Sequence, residues 1–227
     1  GPLTSLHPQP QLQSQPQSQQ QPRDPQVRVL IKSLVNLLDD SDVMTARAVM
    51  SALTNFALEE EACRMIADMG VVETLLAALL DKENQGTRSL DMVRCGLMAN
   101  ISRDETAVYK ILKEPVPNRK GEQGSNAGGG SKYARILLED RILQVFTRMV
   151  ENDKYKTNFD PYESYIMFIA NLASIGAGRK LAMDNETHIA KMTIKMMRTT
   201  KNKNRKLGAA LLIRNLAMDD QYHESLL

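Results

Sequence analysis

Leu53-Thr54-Asn55-Phe56-Ala57 decides the fold, because the chain writes it four times. It returns as Met98-Ala99-Asn100-Ile101-Ser102, Ile169-Ala170-Asn171-Leu172-Ala173 and Ile213-Arg214-Asn215-Leu216-Ala217. The form is apolar, variable, asparagine, apolar, small. Successive asparagines lie 45, 71 and 44 positions apart. Two of these intervals match the period of about 40–47 residues of armadillo and HEAT arrays. The middle interval is too long, and a Gly-rich segment, 118–132, supplies the surplus. The sequence therefore predicts an all-α, armadillo/HEAT-like solenoid, a right-handed superhelix of about four repeats, each burying its apolar face against its neighbours.

Working outward from the motif, apolar residues follow the i, i+3, i+4, i+7 rule of amphipathic helices. Val27, Leu30, Ile31, Leu34, Leu37 and Leu38 form the first such stripe, and Val49, Ala52, Leu53 and Phe56 form the second. Ser41 or Asp42 can cap the second helix. A short helix then runs from Glu60 to Met69, Gly70 suits a left-handed terminator, and another helix follows from Val71. The second unit repeats this order from Arg88, with Arg94 where the first unit has Val49. Pro115 and Pro117 end its short helix. Helical patterning resumes at Tyr133, and the third and fourth signature helices follow. Gly208, inside the fourth, costs roughly 1 kcal/mol relative to Ala, which points to close helix approach.

Residues 1–26 read differently. Gly1-Pro2-Leu3 resembles the scar left by protease removal of a tag, and the Gln, Pro and Ser that follow cannot bury enough apolar surface to order themselves. A disordered tail is expected there, and a flexible loop, natural or an engineered linker, at 118–132. The repeat domain would then span 27–227. Its array stops inside a unit, so the expectation is a C-terminal truncation.

Composition narrows the function. The net charge is +2, Trp is absent and aromatics make up 4%. Cys63 and Cys95 sit singly inside helical patterns, as buried thiols of a reducing compartment do. No apolar run reaches the ~20 residues of a membrane span, and no signal peptide is visible. The expected location is cytoplasmic, with the nucleus also compatible. His7 lies in the tail, while His188 and His223 lack ligand spacing. No catalytic triad, phosphate loop or carboxylate pair stands out. The expectation is a non-enzyme without cofactor, metal or small-molecule substrate.

The most specific wording lies late in the chain. Lys206-Leu207-Gly208, Ile213-Arg214-Asn215 and Tyr222-His223-Glu224-Ser225-Leu226-Leu227 resemble passages of the eukaryotic Hgh family of armadillo-like proteins, the brain-protein-sixteen homologues. So do Ala99-Asn100-Ile101-Ser102-Arg103-Asp104-Glu105 and the stretch from Tyr165 to Met183. The sequence departs from that pattern after Asn215. The resemblance implies a chaperone or adaptor assisting the folding of eukaryotic elongation factor two, beside the ring-shaped chaperonin and heat-shock co-chaperones.

Two sets of residues are candidates for binding. In armadillo proteins that hold extended peptides, an Asn of each unit meets the ligand backbone through its carbonyl and amide. Asn55, Asn100, Asn171 and Asn215, with Arg214 beside the last, are the protein-binding candidates; the alternative is that they bond neighbouring helix ends. The second set is a basic cluster, Lys191, Lys195, Arg198, Lys201, Lys203, Arg205 and Lys206. It would meet an acidic partner or phosphates, or simply form a solvated face. No aromatic interleaves it, so a stacking platform for single strands is missing. Met192, Met196 and Met197 read as core or as an adaptable client surface. The reading that emerges is a non-catalytic protein-binding scaffold. Its rivals are a general armadillo peptide adaptor, of which the nuclear-import type would need groove tryptophans that this chain lacks, and binding of nucleic acid or acidic partners.

Overall fold

The computed structural model describes residues 25–38, 42–81, 88–117, 132–151, 160–184 and 188–223, and among them every regular element is helical. The expected tail up to residue 24, the Gly-rich loop from 118 to 131 and the last residues from 224 lie outside the described residues. Eleven α-helices follow in order: α1 (Pro25–Asn36), α2 (Val43–Phe56), α3 (Glu60–Asp68), α4 (Val71–Leu80), α5 (Arg88–Ile101), α6 (Glu105–Ile111), α7 (Lys132–Glu151), α8 (Tyr165–Leu172), α9 (Gly176–Met183), α10 (Ile189–Thr199) and α11 (Lys203–Leu216). A 3-10 turn, Asp220–Tyr222, comes last.

The ends of these helices have local causes. Pro25 starts α1 at the position where a missing N–H costs nothing, two residues ahead of the expected start. Asp42 caps α2 by accepting from Thr45 N–H at 2.8 Å. Asp104 caps α6 through Ala107 N–H at 2.8 Å, and Asn202 caps α11 through the amides of Asn204 and Arg205. Gly70, at φ +71°, turns the chain from α3 into α4 in the left-handed region.

Helices in equivalent places stack on one another. The signature helices pack α2 on α5, α5 on α8 and α8 on α11; α3 packs on α6, α4 on α7 and α7 on α10. Of the stripe expected of α2, Val49 and Leu53 are buried and Ala52 and Phe56 partly buried, and on α8 Phe168, Ile169 and Leu172 are buried. Arg94, the irregular residue of α5, is also buried and forms an ion pair with Asp91 at 2.8 Å. Of the three methionines of α10, Met196 is buried and Met192 and Met197 pack partly buried against the core. Gly208 is the close approach anticipated for it. A Cβ there would lie 2.5 Å from Ile166 Cγ2 on α8.

Candidate functional site

The signature asparagines sit in the last turn of α2, α5, α8 and α11, where each helix tightens as it ends. The amides of Leu58, Arg103, Ser174 and Met218 donate to the carbonyls of Asn55, Asn100, Asn171 and Asn215, at 3.0–3.4 Å. These are i to i+3 bonds. They bypass the carbonyl of the residue just before each asparagine, which thereby lacks its helical donor.

Two of those carbonyls are taken up by the next unit. Asn171 Nδ2 donates to Ala99 O at 3.0 Å and to Ser102 Oγ at 3.1 Å. Asn215 Nδ2 donates to Ala170 O at 2.8 Å. The Asn215 amide thus closes the gap left by α8, while Ala99 O is shared between the Asn171 amide and Ser102 Oγ, which donates to it at 3.1 Å. Asn100 sends no such bond to Thr54, although its own carbonyl receives the Cys63 thiol at 3.6 Å. Asn55 is exposed, and no signature helix precedes it among the described residues. Arg214 folds onto its neighbour, with Nε and Nη2 donating to Asn215 Oδ1 at 3.3 and 3.1 Å. It does not reach the turn at Asp219, whose carboxylate is held by Arg179 at 3.3 Å.

That last pair belongs to a second repeated contact, outside the five-residue motif. Arg64 of α3 donates to both oxygens of Asp104, at 3.1 and 3.0 Å. Both pairs, Arg64–Asp104 and Arg179–Asp219, span 40 positions. In each, an Asp four residues after a signature asparagine meets an Arg on the short helix of the unit before it. The signal was present as an extended motif: Glu59, Asp104 and Asp219 all stand four after the asparagine, and only Ile175 breaks the rule.

The basic cluster divides. Arg205 is a correction: it is 1% exposed and ion-paired with Asp160, its Nη2 donating to Asp160 Oδ1 at 2.8 Å and its Nη1 to Met149 O at 2.9 Å. A guanidinium can enter the interior only when its donors and charge are matched in this way. Asn202 Nδ2 adds a bond to Asp160 at 3.2 Å. Together these contacts pin the start of α11 and the turn before it to Asp160, in the segment ahead of α8, and to the end of α7. Lys191, Lys195, Arg198, Lys201, Lys203 and Lys206 are exposed around this turn, with no ion pair to another described residue.

Among the described residues, no group of three His, Cys, Asp or Glu side chains could hold a metal ion. Burial pushes the Cys63 thiol up to about 11, with Asp104 adding to the effect, and pushes Cys95 well above its usual value. Both cysteines are free and buried. No helix of the described residues is long and apolar enough to cross a membrane.

No curated protein matches the chain. Among solved structures, it is similar to an engineered protein from the Northeast Structural Genomics Consortium, at 16% identity and a TM-score of 0.35. The match covers 82% of this chain and 47% of that one, so the chain spans about half the length of its structural relative. Its family affiliation comes from residues 78–227, from the end of α4 through the last three signature helices. Those residues match the model of a domain of unknown function (DUF383), and the chain belongs to that family.

Proposed function

We propose that this chain is an armadillo-like helical solenoid acting as a non-catalytic protein-binding scaffold. One observation carries this reading: the stacking of the signature helices α2, α5, α8 and α11, with asparagine amides bridging α5–α8 and α8–α11. Such stacking produces an extended surface without enclosing a reaction site. The internal use of the Asn171 and Asn215 amides moves the binding surface away from those two side chains. Asn55 and Asn100, whose amides are not spent on a neighbouring carbonyl, and the guanidinium of Arg214 remain binding candidates.

The resemblance to the Hgh family makes eukaryotic elongation factor two the first client to test, in the role of a cytoplasmic folding cofactor. The test uses purified chain and purified elongation factor two, in native and partly unfolded forms, with binding followed across salt concentration. Saturable capture that survives moderate salt supports the scaffold reading. A second reading rests on the six exposed cations around the α10–α11 turn, which fit an acidic or phosphate-bearing partner. Affinity for any DNA or RNA that falls steeply with salt, without capture of the factor, favours that reading and rejects the first.

A further inference from the structure

One face of α5 stays open although the helix is packed between α2 and α8, so its exposure does not depend on where the chain begins or ends. Met92 and Arg103 are exposed on it, and Gly96 and Asn100 are half-buried between them. These residues follow the i, i+4, i+8, i+11 spacing of a single helix face. Nothing lies within 4 Å of a Cβ built on Gly96, so another main chain can approach α5 there. On α2, held between α1 and α5, the equivalent places are taken by Arg47, Ser51, Asn55 and Leu58. Arg47 is half-buried and the other three are exposed. Polar groups on this face lack partners that their counterparts have. Asn171 and Asn215 bond the carbonyls of Ala99 and Ala170, whereas Asn100 sends no such bond to Thr54. Arg47 Nε is shut off from solvent without a hydrogen-bond partner. Arg103 enters no ion pair with a described residue, and the neighbouring Asp104 is held by Arg64 at 3.0 Å. No acidic residue lies on α2, and the one on α5, Asp91, is ion-paired with Arg94 at 2.8 Å.

The outer residues of the two stripes alternate in kind across the asparagine row. Arg47 stands eight residues before its asparagine and Leu58 three after it; on α5 the same places hold Met92 and Arg103. These offsets put the pairs about 12 Å to one side of the row and about 4.5 Å to the other. Each free asparagine side chain offers both a donor and an acceptor. The complement is a main chain with unspent N–H and C=O groups, which an extended segment has and a helix lacks. Packed helices lie about 8–10 Å apart, a step that an extended chain makes in about three residues. Its successive side chains point to alternate sides, so residues three apart face opposite ways. A first residue beside Arg47 therefore sets the second beside Leu58, the third beside Met92 and the fourth beside Arg103. We propose, resting on the scaffold reading, that this face binds an extended segment of a partner protein in the order acidic, apolar, apolar, acidic. Its carboxylates meet the two guanidiniums, its apolar side chains lie on Leu58 and Met92, and its main chain bonds Asn55 and Asn100.

Other occupants fit less well. A further repeat would stack on the flank of a signature helix, as α5 does on α2, and leave this face open. The residues outside the described ranges contain no acidic, apolar, apolar, acidic run. Asp160-Pro161-Tyr162-Glu163 comes nearest, but Asp160 is ion-paired with Arg205 and Tyr162 is buried, so neither this chain nor a second copy offers it. A nucleic acid would set phosphates against Leu58 and Met92, with no aromatic side chain on either stripe to stack on a base.

The test uses the whole chain and a fluorescent peptide of about ten residues, long enough to cross both helices, with two leucines between two glutamates at its centre. The comparisons are a peptide with leucines and glutamates exchanged, a peptide of residues 7–21 of this chain, and a short single-stranded RNA. The first peptide should bind about tenfold tighter than the exchanged one. Arg47→Glu and Arg103→Glu should each weaken it about tenfold with melting unchanged. The Arg47→Glu, Arg103→Glu double variant should instead prefer a peptide with lysines in place of the glutamates. Absence of binding overturns the assignment. So do equal binding of the exchanged peptide, the 7–21 peptide or the RNA, and insensitivity to Arg103→Glu, whose exposed site puts folding at no risk. Failure of the peptide with capture of elongation factor two intact rejects this surface alone; failure of both rejects the scaffold reading as well.

Discussion

Gly178→Ala should destabilise the protein although alanine is the better helix former. Gly178 lies in α9, buried against the end of α8. A Cβ at this position would stand 1.9 Å from Leu172 O, 2.4 Å from Leu172 C and 3.0 Å from Ala173 N. Comfortable contact needs about 3.5 Å, so α8 and α9 would have to separate by roughly 1.5 Å. All three obstructing atoms are backbone, and no rotamer change relieves them. Ordinary overpacking costs about 1–3 kcal/mol, and a backbone clash belongs at the top of that range. Replacing glycine in a helix returns at most about 1 kcal/mol. The net loss is therefore about 2 kcal/mol, or roughly 4–8 °C in Tm for a chain of this size. Gly96→Ala provides the internal control: nothing lies within 4 Å of the added Cβ, and this variant should gain about 0.5–1 kcal/mol. Urea and thermal unfolding of both variants would measure the difference. A Gly178→Ala protein as stable as the wild type would refute the close packing of α9 on α8.

Three further outcomes follow from other contacts. Arg205→Ala, which strands Asp160 beside a cavity, should cost about 3–5 kcal/mol by chemical denaturation; a loss below 1 kcal/mol would return Arg205 to the solvated cluster. The buried thiols should resist alkylation at neutral pH in the folded protein and react once it unfolds, which mass spectrometry of iodoacetamide-treated samples would show. Cys63 keeps its proton up to about 11 when folded, against a usual value of 9.0. Its contribution to stability is accordingly complete below about 9 and lost as pH rises through about 11; a Cys63→Ala comparison of unfolding across that window isolates it.

Much of the helical order was legible because the apolar stripes carry a clear period. Gly70 likewise announced its role by residue type alone, and residue type narrowed the cap of α2 to Ser41 or Asp42, of which Asp42 serves. Arg205 was not legible. Its neighbours Lys201, Lys203 and Lys206 are exposed, and only the fold brings Asp160 from 45 positions away to neutralise it. Gly178 was equally silent, since its crowding comes from the backbone of α8 and leaves no mark in the spacing of side chains. The inter-unit Arg–Asp pairs were written in the sequence, four residues beyond the motif. The pattern is broken in the third unit, which carries Ile175 at that place.

The most direct test of the ladder is a comparison of Asn55→Ala, Asn171→Ala and Asn215→Ala by urea unfolding of the same chain. Asn215→Ala removes the donor to Ala170 O and should cost about 1–3 kcal/mol, whereas Asn171→Ala leaves Ala99 O its bond from Ser102 Oγ and should cost about 0.5–1.5 kcal/mol. Asn55, exposed and without a preceding signature helix among the described residues, should change stability by no more than about 0.5 kcal/mol. Equal losses at all three positions, or none at Asn171 and Asn215, would contradict the rungs and leave the asparagines to be explained by binding alone.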